Sequence, residues 1–159
     1  MRVLFRKSED GRLCSWRAEL AGHRGLQGST MAAWAGHADL PHDLAQFVVE
    51  AGLGLEHGFW NLVANGATFR SLGRRPTRPG RQLITAYRGE LNQAESTVNT
   101  QVQAWRDGRP TPVGPALTAM QARWRALRPG EELAVDWPIT RLPRPRQRAR
   151  PVPIRRRPG

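Results

Sequence analysis

The chain of 159 residues has a single cysteine, a single tyrosine and a single lysine, and none of its apolar runs reaches the length of a membrane span or a signal-peptide core. A lone Cys14 rules out an internal disulfide framework, and nothing in the sequence argues for an oxidising compartment. A soluble, cytoplasmic protein is the expectation. Acidic residues are also scarce, at 13 against 25 basic ones, and 24 of the basic residues are arginine. Between positions 51 and 89 the only acid is Glu56, and the last twenty residues contain none.

What is present is correspondingly lopsided. The segment 140–159, TRLPRPRQRARPVPIRRRPG, holds eight arginines, so residues 1–140 carry 17 basic and 13 acidic side chains, a balance of only +4 within the chain's +12. Recurrent proline removes backbone donors, and the arginines repel one another, so residues 141–159 are expected to form a disordered, extended basic arm beyond a globular domain of residues 1–140. Arg144, Arg146, Arg148, Arg150, Arg155, Arg156 and Arg157 are the candidate polyanion contacts of that arm. A second basic stretch, RSLGRRPTRPGR at 70–81, reads as a loop because of its glycines and prolines, and adds Arg74, Arg75, Arg78 and Arg81. Nucleic acid or a ribonucleoprotein, bound through charge without base-specific readout, is the partner this pattern suggests. Short Pro-rich pieces such as 143–146 also admit a ligand for an aromatic groove, although the charge crowds them.

The body reads as α+β: a small antiparallel sheet, made of an N-terminal hairpin and a C-terminal strand, packed against about four helices. Val3, Leu4 and Phe5, the turn residues Glu9, Asp10 and Gly11, and the run 13–18 make the hairpin. A third strand is expected at 29–34 and a last one at 131–137, where Leu133, Val135 and Trp137 alternate with polar or small residues. Helices are expected from Asp39 and Pro41 to Gly52, over 56–64, over 82–106 and over 115–127. The third of these carries a narrow seam of Ile84, Tyr87, Leu91, Ala94, Val98, Gln101 and Trp105, the pattern of a helix packed along another helix, and offers a possible homodimer face.

One constellation has metal-site spacing. His42, Gln46 and Glu50 fall on one helical face, as in a His-Glu-x-x-His site, but glutamine is a poor zinc ligand and Asp43 stands in place of the general base. A degenerate metal-binding or hydrolase-like domain centred on His42 and Glu50, with His37 or His57 as further donors, is the alternative reading. With Leu44, Phe47, Val48 and Ala51 on the opposite side, the polar face is expected to be solvated. The stretch 41–69, PHDLAQFVVEAGLGLEHGFWNLVANGATF, resembles small bacterial proteins with a PHDL…VVE…G segment, which carry a histidine where this chain has Gln46. No activity transfers through that resemblance. No serine has a nucleophile-elbow context, Cys14 reads as a packed thiol, and no glycine motif cradles a phosphate, so no cofactor is implied. Of the six tryptophans, Trp34 and Trp60 read as the freer ones.

Overall fold

The computed structural model describes residues 1–10, 13–19, 26–31, 40–69 and 77–143, the segment 26–31 as backbone alone. Four strands, β1 (Arg2–Lys7), β2 (Leu13–Glu19), β3 (Leu26–Met31) and β4 (Glu132–Asp136), form one sheet in the order β3-β2-β1-β4. All three pairings are antiparallel. The helices are α1 (His42–Leu53), α2 (Phe59–Ala64), α3 (Arg78–Ala86), α4 (Arg88–Arg106) and α5 (Gly114–Ala126). The fold is α+β. Among the described residues no helix is long and apolar enough to cross a membrane.

Alternation places the core. Phe5 stands opposite Trp16 and Leu133, and Val3 opposite Ala18 and Val135, so these side chains share one face and are all buried. On that face the helices add Leu44, Phe47, Val49, Val63, Val98, Leu117 and Trp124. Trp60 sits among Phe5, Trp16, Phe47 and Phe59 at ring separations of 4.8 to 5.6 Å, mostly edge to face. It is fully buried, and its indole N–H donates to the Asp43 carbonyl at 3.2 Å. The sequence reading of Trp60 as one of the freer tryptophans is therefore overturned: with its neighbour Phe59 it belongs to the aromatic cluster of the core. Trp34 lies outside the described residues.

Two helix boundaries also differ from expectation. Pro41, not Asp39, precedes the first residue of α1, and no side chain caps it. The helix expected over 82–106 is two helices. Thr77 caps α3 by accepting the Gly80 N–H at 3.1 Å, with Pro79 in the first turn, so Arg78 and Arg81 lie on a helix instead of in a loop. At Tyr87 the backbone (φ −111°, ψ 23°) leaves helical geometry before α4 begins. Of the expected seam, Leu91, Ala94 and Val98 are buried and Ile84, Tyr87, Gln101 and Trp105 are half-buried; Val102, outside the seam, joins Val98 in the main core. The sole lysine closes α5, its ammonium donating to the carbonyls of Trp124 (3.2 Å) and Leu127 (3.0 Å). A cation at a helix C-terminus meets both the orphan carbonyls and the dipole.

Candidate functional site

Residues 42, 46 and 50 do share a face of α1, but that face is not solvated. Gln46 is 4 % exposed and Glu50 is fully buried, because α2 begins against this side and Glu95 of α4 meets it. Glu50 accepts the backbone N–H of Phe59 at Oε1 (3.0 Å) and of Trp60 at Oε2 (2.9 Å), while the Gln46 amide donates to Glu50 Oε1 at 2.8 Å. The second N–H of that amide reaches Glu95 Oε1, also at 2.8 Å. The N-cap of α2 is Gly58, which offers no side chain, so a carboxylate from α1 supplies the cap from a distance in sequence.

Burial and hydrogen bonding oppose each other at Glu50. Desolvation disfavours the anion; three donors favour it. Burial wins, and the Glu50 carboxyl is pushed up to about 7, with the Glu95 charge adding to the rise. His42, half-buried, donates from Nδ1 to Asp43 Oδ1 at 3.3 Å, and this bond outweighs burial, so its imidazole titrates above the usual range. Asp43 also accepts the Trp16 indole N–H at 2.9 Å, pinning α1 to β2. Both oxygens of Glu50 are thus engaged with backbone and amide donors, and His42 turns to Asp43. Among the described residues no group of three or more His, Cys, Asp or Glu side chains is placed to hold a metal. His57 stacks on Tyr87 instead, and His37 lies outside the described residues. The Cys14 thiol is buried and pushed far up by desolvation, as a packed thiol should be.

The cationic residues form the other candidate site. After β4 the chain runs over α2 and is clamped there by two asparagines one turn apart. Asn61 Oδ1 accepts the Thr140 N–H (3.1 Å) and the Trp137 indole N–H (3.3 Å), and its amide donates to the carbonyls of Glu56 (2.7 Å) and Thr140 (3.0 Å). Asn65 Oδ1 accepts the Leu142 N–H at 3.0 Å, and its amide donates to the Thr140 carbonyl at 2.8 Å. Leu142 then packs on a small cluster of Leu62, Ala67, Leu83 and Leu91, and the Tyr87 hydroxyl donates to the Pro143 carbonyl at 3.2 Å. Set against family models, curated proteins and solved structures, the chain finds no match.

The same small cluster receives Phe69, which immediately precedes the basic stretch 70–76, and Thr77, which follows it, is tied back to Thr68 Oγ1 at 3.0 Å. The described residues that flank both arginine-rich segments therefore lie in one neighbourhood. Arg78, Arg81, Arg88 and Arg141 are exposed there, and among the described residues none of them has a carboxylate partner. Elsewhere Arg6, Arg17, Arg109 and Arg128 pair with Glu9, Glu132, Asp107 and Glu131. Glu56 and Glu90 are the exposed acids of the elements at this end. Arg74 and Arg75, and the arm residues Arg144, Arg146, Arg148, Arg150, Arg155, Arg156 and Arg157, lie outside the described residues. The Asn61–Asn65 clamp and the His57–Tyr87 stack went unread in the sequence; the only local trace of the clamp is two asparagines four apart on a short helix.

Proposed function

We propose that the protein binds nucleic acid or a ribonucleoprotein through charge, without reading base sequence. The observation that carries this reading is a convergence: the residues that flank two arginine-rich segments meet at one end of the body, beside helical arginines with no acidic partner among the described residues. An arginine left unpaired beside other cations is stabilised by a phosphate, and each such contact releases condensed counterions. A planar guanidinium fork also matches phosphate oxygens in two parallel bonds, which a lysine could not do. The near absence of lysine fits that preference.

The test compares the full chain with a truncation after Pro143, which spares the clamped residues 140–143, on labelled RNA and duplex DNA across a salt series. The full chain is expected to bind with a steep salt dependence. Truncation is expected to flatten it by roughly 0.7 to 0.9 in log–log slope for each phosphate that the arm no longer neutralises. Equal affinity and equal slope for both proteins would sink the proposal.

A further inference from the structure

Every indole N–H in the paired set Trp16, Trp60, Trp105 and Trp137 finds an acceptor within the body. His57 does not follow that pattern. Its ring lies on Tyr87 at 4.6 Å between centroids and 24° between planes, partly exposed, and among the described residues neither ring nitrogen has a hydrogen-bond partner. The stack stands where the cations gather. Tyr87 joins α3, which carries Arg78 and Arg81, to α4, which opens with Arg88, and its hydroxyl holds the Pro143 carbonyl at the root of the arm.

Resting on the polyanion reading, we infer that the partner presents unpaired bases: the geometry points to the His57–Tyr87 stack as a platform for a base of single-stranded nucleic acid. Phosphate attraction alone does not distinguish a single strand from a duplex. A flat ring held at the surface does, because a duplex buries its base faces while a single strand offers one per nucleotide. The pre-stacked Tyr87 fixes the imidazole plane, so little ordering remains to be lost when a base lies against it. Stacking is tolerant of base identity, which agrees with binding that does not read sequence. The ring nitrogens add a donor or acceptor at the edge of the platform, where base edges and phosphate oxygens both arrive.

The experiment uses the full chain and three variants, His57→Ala, His57→Phe and the truncation after Pro143. Each is titrated into labelled single strands of about twelve nucleotides, within the site sizes such surfaces take, and into a blunt duplex with the same number of phosphates. Thermal unfolding of each variant checks that the body is intact. Tighter binding of the single strand, lowered about tenfold by His57→Ala, kept by His57→Phe and unchanged on the duplex, is the expected result. If single strand and duplex bind alike and His57→Ala changes neither, the platform is overturned, while the salt dependence and the truncation still report on the polyanion reading. Equal losses on both nucleic acids would make the stack a brace between loop and helix and overturn the inference as well. Failure of the full chain to bind either would remove both proposals together.

Discussion

The Glu50 carboxylate accepts the Trp60 backbone N–H at 2.9 Å, so a charge-bearing side chain with no exposed surface caps a helix whose own N-cap, Gly58, can offer none. The same helix carries Trp60 into the aromatic core and Asn61 and Asn65 onto the chain at 140–142. One buried acid thereby links the centre of the fold to the root of its basic arm.

Stability should fall as pH rises through that acid's titration. A carboxyl held near 7 in the folded chain and near 4.5 unfolded binds its proton more tightly when folded. Its contribution favours folding most at low pH and is lost between those two values, by at most about 3 kcal/mol. The raised imidazole of His42 acts in the same direction over a higher range, lending stability below the unfolded value and losing it above. Chemical denaturation from pH 5 to 8 should show the decline, and Glu50→Gln should flatten its lower part. A slope identical in the wild type and in Glu50→Gln would refute the assignment to Glu50.

Removing the side chain altogether costs more. Glu50→Ala leaves the Phe59 and Trp60 amides and one N–H of the Gln46 side chain without an acceptor in a dry site, and unfolding free energy is expected to drop by about 2 to 4 kcal/mol. Urea titration at neutral pH measures this directly.

Gly58 faces that carboxylate so closely that a Cβ would collide with it, although the glycine's own φ of −72° suits any residue. The cost of Gly58→Ala is therefore steric, about 2 kcal/mol or more. A double-mutant cycle with Glu50→Ala should recover part of it. Additive losses would show that the two sites do not touch.

Lys7→Met keeps the stem and removes the ammonium from the Trp124 and Leu127 carbonyls. The expected loss is about 1 to 2 kcal/mol, seen as a lower midpoint in thermal unfolding and reduced protection of the last turn of α5 in hydrogen exchange.

Asn65→Ala removes no charge, yet it should weaken polyanion binding several-fold, because Asn65 holds the Leu142 and Thr140 backbone and so fixes where the arm departs. Anisotropy titrations on the single strand, beside the truncated protein, measure it. Unaltered affinity in Asn65→Ala, with a large effect of truncation, would mean the arm acts independently of its anchorage.

Patterns confined to neighbours in sequence were sufficient for much of this fold. Apolar runs about an Asp-Gly turn marked β1 and β2, and period-two alternation marked β4 with Leu133 and Val135 on one face. A helical period with Pro115 in the first turn marked α5, and the glycines closed α1 close to its observed end at Gly54, whose φ is 63°. The same local rules misjudged α3, because Pro79 and Gly80 read as loop formers when a threonine cap makes them a first turn. They also misjudged Tyr87, where the three- and four-residue spacing runs through a bend without interruption.

The sequence by itself determined the strands β1, β2 and β4, the helices α1 and α5 and the imbalance of arginine over acid, since each follows from composition or from residues within a turn or a strand of one another. Tertiary structure alone decided that Glu50 and Gln46 are buried, that Trp60 is a core residue, and that the residues flanking two distant basic segments lie in one place. The physical reason is the same in each case. A helix has more than one face to cover, and which neighbour covers the polar one depends on how chain segments far apart in sequence pack, a relation that no local spacing encodes.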